Sequence, residues 1–183
     1  MRTKNKSIIL LCLALGWLSS ACTTASRAKI ATVVHQERGS LSYETGEEIV
    51  ASIQELAQEY QLDPMLILAI IKTESSFNPR ALSHRGAMGL MQVKSIVVRD
   101  VAVDLGILPK DSQRLKSDLK FNLRVGVHYL SKLLEQYHGD LRKALMAYNA
   151  GPTTVSRLYK NRPVPVGGYQ GRVLKAYRVY SSI

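Results

Sequence analysis

Glu74 ends an apolar helix face. Counting back three, four and seven residues gives Ile71, Ile70 and Ile67, which share its side of an α-helix. The carboxyl also falls in the last turn, where the helix dipole is negative. Loss of water and the dipole both disfavour the charged form, so the sequence predicts a raised pKa. A carboxylic acid that keeps its proton near neutral pH is equipped for general acid work. On these residues alone, a partly exposed glutamate at a helix end is the competing reading. Ser75, next in the chain, reads either as a ligand for a bound molecule or as a cap on the helix end.

Other chemistries lack their residues. His35, His84, His128 and His138 show no metal-ligand spacing, and the two cysteines, Cys12 and Cys22, make no metal pair. No Gly-rich phosphate loop and no Gly-x-Ser-x-Gly elbow occurs. Neither a metal nor a cofactor is expected. Glycosidases usually need two carboxylates, about 5–5.5 Å or about 6.5–9.5 Å apart. Beside Glu74 the loose candidates are Asp100, Asp104 and Asp118, and each reads better as a helix-surface or capping charge.

The elements that must position Glu74 are helical. Asp63-Pro64 is an N-cap followed by proline at the first helical position, opening a helix to about Ser75. Before it, Thr45 and Glu48 form a capping box for a helix with Ile49, Ile53, Leu56, Ala57 and Tyr60 on one face. After it, Asn78-Pro79 breaks the chain and residues 83–89 form a glycine-containing loop. Further helices are expected over about 90–105 and 121–137, then one capped by Asp140, a short one from Pro152 and a last one from near Tyr169. Period-two strands are not evident, so the expected class is all-α. Met88 and Met91 are expected to pack.

Residues 1–21 read as an export signal: Arg2, Lys4 and Lys6, an apolar run from Ile8 to Leu18, then Ser19, Ser20 and Ala21. The run is too short to span a membrane. Cleavage before Cys22 leaves one cysteine and no intrachain disulfide. Leu18-Ser19-Ser20-Ala21-Cys22 resembles a bacterial lipoprotein box, which would put a lipid on Cys22, although Leu18 stands one position farther from the cysteine than usual. Ordinary cleavage after Ala21 is the alternative. Residues 22–44, small, polar and aperiodic, read as the lipidated N-terminus and a flexible tether, leaving 45–183 as the functional domain.

The chain of 183 residues has 25 Lys and Arg against 14 Asp and Glu, a formal charge of +11. Without the three basic residues of the signal, 22 remain against the same 14 acids, or +8. Such a surplus favours an anionic partner. Export argues against nucleic acid and for cell-wall polymers or lipid head groups.

Five ordered blocks carry a family resemblance. They are Glu74-Ser75-Ser76-Phe77-Asn78-Pro79, Gly86-Ala87-Met88-Gly89-Leu90-Met91-Gln92, residues 122–130, Ala147-Tyr148-Asn149-Ala150-Gly151-Pro152, and Gly168-Tyr169-Gln170. Over about residues 46–180 the chain closely resembles the lytic transglycosylase domain of bacterial cell-wall enzymes, relatives of goose-type lysozymes. The resemblance implies a lysozyme-like helical fold with a sugar-binding cleft. Glu74 would be the single catalytic acid and base, cleaving the bond between N-acetylmuramic acid and N-acetylglucosamine without water to leave a 1,6-anhydro sugar.

By the same matching, Ser75, Ser83, Gln92, Tyr148 and Asn149 would contact substrate, and the Tyr169 hydroxyl would approach and orient the acid. Gly86 and Gly89 would serve the backbone of their turn. The chain departs from many relatives in Val93-Lys94-Ser95-Ile96 and in residues 161–168, both at the cleft's edge. The implied partners are peptidoglycan strands and, through the lipid, the periplasmic face of a membrane, the outer one favoured; cell-wall or secretion machinery is an open further partner. A lysozyme-type hydrolase and a non-catalytic peptidoglycan-binding lipoprotein are the competing functions.

Overall fold

The computed structural model describes residue 24 and residues 26–37, 39, 41–160 and 162–183. The expected export signal and Cys22 lie outside the described residues. The first described helix, α1, covers residues 26–37. It overturns the expectation of a tether over 22–44. Ile30, Val33 and Val34, at helical spacing i, i+3 and i+4, are fully buried in the core. Its polar side is fastened as well. Arg27 meets Glu47 at 2.9 Å, and His35 reaches the same carboxylate at 3.2 Å and stacks on Tyr43. Nine charged, polar or small residues around three apolar ones hid an amphipathic stripe.

α2 spans Tyr43–Glu59, capped three residues earlier than the expected Thr45–Glu48 box. Its N-cap is Ser42, whose Oγ accepts from the Thr45 N–H at 3.2 Å. Ile49, Ile53, Leu56 and Ala57 are buried, as their spacing predicted. α3 spans Pro64–Ser75, with Asp63 Oδ1 accepting from the Met65 N–H at 2.8 Å. Every residue from Met65 to Ile71 is buried. A helix that is apolar all round must be enclosed by others, and α3 is the core of this domain.

The expected helix over 90–105 begins only at Ser95, as α4, Ser95–Leu105. Residues 88–93 are instead drawn into two isolated β-bridges, Leu82 with Met88 and Met88 with Val93. A 3₁₀ segment, Pro109–Lys116, follows and had no sequence expectation. α5, Leu119–Gln136, is capped by Asp118. α6, Leu141–Ala150, is capped by Asp140, and Pro152 starts α7, Pro152–Tyr159. α8 is Gly168–Ser181.

The helices form a closed circuit: α2 against α3, α3 against α8, α8 against α6, α6 against α5, and α5 back against α2. The 3₁₀ segment and α4 lie on α5, and α7 lies on α6. Among the described residues there is no strand beyond the two isolated bridges, so the domain is all-α. No helix among them is long and apolar enough to cross a membrane.

Candidate active site

Glu74 sits where α3 stops. Ser76 and Phe77 both take left-handed backbone, with φ of 49° and 63°. Such geometry is costly for a bulky side chain and persists only when packing enforces it. Here the Phe77 ring, 1% exposed, is locked in the core. The pair turns the chain sharply, and residues 78–94 fold back as a loop over the end of α3. Asn78 steadies the turn by accepting from the Arg80 N–H at 2.9 Å.

The loop is fixed by its own side chains. Ser83 Oγ accepts from the Ala87 N–H at 3.0 Å, while its N–H donates to the Ala87 carbonyl at 2.9 Å. Gln92, itself at φ 47°, donates through Nε2 to the carbonyls of Ala81 and Gly89 at 3.1 and 3.0 Å. Its Oε1 is left as the atom that a sugar hydroxyl or amide can approach.

Asn122 of α5 pins the loop from below. It is 1% exposed. Its Oδ1 accepts from the Met91 N–H at 3.0 Å, and its Nδ2 donates to the carbonyls of Met88 and Leu115 at 2.8 and 3.1 Å. Gly89, at φ 73°, lies so close that a Cβ there would stand 2.3 Å from Asn122 Nδ2. Gly126 plays the matching part on α5, since a Cβ would stand 2.5 Å from Met91 Sδ. Met91 is fully buried, the packing role expected of it.

Between loop, α4, α5 and α6 runs an open groove of about 330 Å³. Glu74, Ser83, Gln92, Tyr148 and Asn149 all line it. Tyr148 is anchored: its hydroxyl donates to the Met91 carbonyl at 2.9 Å, and its ring lies against Tyr129 at 5.7 Å between centroids. Glu74 is the only Asp or Glu among the lining residues, while Arg85 and Lys94 bring positive charge to the rim.

Burial pushes the Glu74 carboxyl up to about 7, against the smaller opposing pulls of Tyr169, Arg172 and Lys94. The apolar ridge predicted that direction. Tyr169, in the first turn of α8, stands behind the acid and outside the groove lining. Its buried hydroxyl lies near enough to influence the carboxyl, yet completes no hydrogen bond of standard geometry among the described residues. Ser75 is not brought into the groove. Its Oγ donates to the Ile71 carbonyl at 3.2 Å, which is the helix-end role of its two readings.

Sequence reasoning assigned no site role to Asn122, Tyr129, Arg85 or Lys94. A signal existed for Asn122: a polar residue on the same helix face as Val125 and Tyr129 must find buried partners. No comparable signal marked the others. Among the described residues no three His, Cys, Asp or Glu side chains gather as a metal site requires.

The family model for the transglycosylase SLT domain matches residues 51–164. This chain belongs to that family. Its relatives include proteins named membrane-bound lytic murein transglycosylase C. The one from Sodalis glossinidius is 39% identical over 58% of this chain and 32% of its own length. The one from Salmonella typhi is 32% identical over 68% of this chain and 37% of its own. A solved structure of an inactive mutant of lytic transglycosylase Slt from Pseudomonas aeruginosa superposes with a TM-score of 0.63 at 28% identity. That match covers 72% of this chain and 24% of the other. The SLT domain here is thus lysozyme-like as well as all-α, and the chain spans about a third of the length of the curated relatives it matches.

Proposed function

We propose that this SLT domain cleaves the β-1,4 bond between N-acetylmuramic acid and N-acetylglucosamine in peptidoglycan, without water, to give 1,6-anhydromuramoyl ends. The observation that carries the reading is one carboxyl, protonated up to about pH 7, as the only acid in a groove lined by hydrogen-bonding side chains and tyrosine. The relatives' names point to the same reaction class.

The steps use Glu74 twice. As an acid it gives its proton to the glycosidic oxygen, and the bond from that oxygen to muramic C1 breaks. As a carboxylate it takes the proton of the muramic C6 hydroxyl while O6 bonds to C1. The acid is restored and no water is consumed, so no second carboxylate is needed to activate one. Gln92 Oε1, Asn149 and the Ser83 hydroxyl hold the sugars, Tyr148 offers its ring, and Tyr169 orients the acid. A two-carboxylate hydrolase has less support, because the lining offers no partner acid at the required separations.

Attachment to a membrane through lipid on Cys22, with the outer membrane favoured, belongs to the same proposal. The names of the relatives support the membrane. The test is mass spectrometry of fragments released from purified peptidoglycan, with Glu74→Gln in parallel. Products one water lighter than hydrolytic fragments, absent with the variant, are expected. Hydrated products would transfer the site to lysozyme-type chemistry.

A further inference from the structure

We propose that α1 is a rigid mount that holds the SLT domain against a lipid surface, with the side around Arg27 and Lys29 facing the head groups. The proposal rests on the reading of Cys22 as the lipidated residue and deepens it. The partner surface is the bilayer itself, and the groove is kept to the glycan nearest the membrane.

The fastening of α1 begins at its second residue. Arg27 Nη2 donates to Glu47 Oε2 at 2.9 Å and Nη1 to Gln54 Oε1 at 3.3 Å, both on α2. One turn on, Ile30, Val33 and Val34 are sealed in the core with no exposed surface. The far end is tied to two other helices: Glu37 accepts from Lys72 Nζ of α3 at 2.6 Å and from the Tyr180 hydroxyl of α8 at 2.8 Å. A helix held at both ends and along its middle moves with the domain. Lys72 stands two residues before Glu74, so the same carboxylate joins the mount to the helix that carries the acid.

Chain length converts that fastening into a distance. Four peptide steps separate Cys22 from Ser26, the first residue of α1. Fully extended, they span about 14 Å. A free tether over residues 22–44 could instead stretch to about 75 Å. A domain of this size is about 40 Å across. With the lipid at Cys22, no part of it stands farther than about 55 Å from the head groups, and the start of α1 lies beside them.

The chemistry of that side suits an anionic surface. Glu47, which faces this end of α1, is occupied on both oxygens, by Arg27 and by His35 at 3.2 Å. Lys29 is exposed and forms no ion pair among the described residues, which leaves it to meet lipid phosphates.

Energy transfer to the bilayer measures the height. The mature full chain, lipidated and reconstituted in vesicles of phosphatidylethanolamine and phosphatidylglycerol, carries a donor dye at Lys29→Cys; the vesicles carry an acceptor on their head groups. The introduced thiol is the single free one, since the lipid blocks Cys22 and Cys12 leaves with the signal. A companion protein has about twenty Gly and Ser residues inserted after Thr23, before the described helix, which adds a reach of about 25 Å. Transfer is expected to be at least about twofold higher without the insertion than with it. Equal transfer from the two would overturn the proposal, because a domain already on a loose tether gains little from more tether.

Two further results separate the mount from the catalytic reading. Mature protein found by mass spectrometry to lack lipid on Cys22 would overturn the mount and leave cleavage of free strands untouched. The expected height with no cleavage of any strand would sink the catalytic reading and leave the mount standing.

Discussion

Asn122 Oδ1 accepts the Met91 backbone N–H at 3.0 Å, tying the middle of α5 to the loop that carries Ser83 and Gln92. The same side chain holds the carbonyls of Met88 and Leu115. One buried amide thus sets the height of the groove floor beneath the proposed sugar contacts, and the tyrosine wall is registered to it through the Tyr148 bond to the Met91 carbonyl.

Replacing that amide should cost both stability and rate. Asn122→Leu removes three hydrogen bonds and leaves buried backbone groups unpaired, a loss of about 3 kcal/mol or more. Urea denaturation is expected to show a lower midpoint, and kcat on glycan strands to fall at least tenfold in the folded fraction. Wild-type turnover at an unchanged midpoint would remove Asn122 from the support of the site.

The two loop glycines should separate cleanly. Both have left-handed backbone, Gly86 at φ 72° and Gly89 at 73°. Gly86 has nothing near a Cβ, whereas Gly89 has Asn122 at 2.3 Å. Gly86→Ala is expected to cost about 1–2 kcal/mol from backbone strain alone. Gly89→Ala should cost more and also cut activity, because Asn122 must move. Thermal melts and turnover of the pair check this; equal effects would contradict the close approach.

Glu74 gives a linkage prediction with a definite sign. Burial, the largest influence, raises its pKa from the ordinary 4.5 to about 7, so the folded state holds the proton that the unfolded state releases between these values. That contribution is complete below pH 4.5 and is lost as pH rises through about 7. Glu74→Gln, which cannot ionise, should match the native chain at pH 4 and exceed it at pH 8 by about 2–3 kcal/mol. Denaturation at the two pH values decides. A variant weaker at pH 8 would mean that the charged carboxylate is well accommodated.

Turnover should follow the same proton. kcat/KM is expected to fall as pH rises through about 7, as the acid is lost. The nearby Tyr169 hydroxyl and the Arg172 and Lys94 charges hold the Glu74 value down. Tyr169→Phe should therefore move this limb to higher pH while lowering the maximum rate. A limb that stays fixed would show that Tyr169 does not act on the acid.

α1 yields a stability prediction. Ile30→Ala should destabilise the domain by about 2–5 kcal/mol, the usual cost of emptying a buried isoleucine site. A helix that merely tethered the domain would tolerate the change, and a melt with no shift would restore the tether.

The sequence by itself determined the helices whose signals are local. Asp63-Pro64, Asp140 and Pro152 start helices because a side-chain acceptor or a fixed φ acts within one turn. The ridge Ile67, Ile70 and Ile71 determined the direction of the Glu74 pKa, because desolvation follows from which residues share its face. Tertiary structure decided the rest. α1 carries few apolar residues, and its stripe counts only once the rest of the core is there to cover it. Residues 90–94 had helical spacing, but Asn122, from thirty residues farther on, captured their backbone and held them as loop. Tyr169 and Arg172 came within reach of the Glu74 carboxyl only when α8 packed along α3. Such pairings span large sequence separations and are fixed by the enclosure of α3, which no window of local sequence contains.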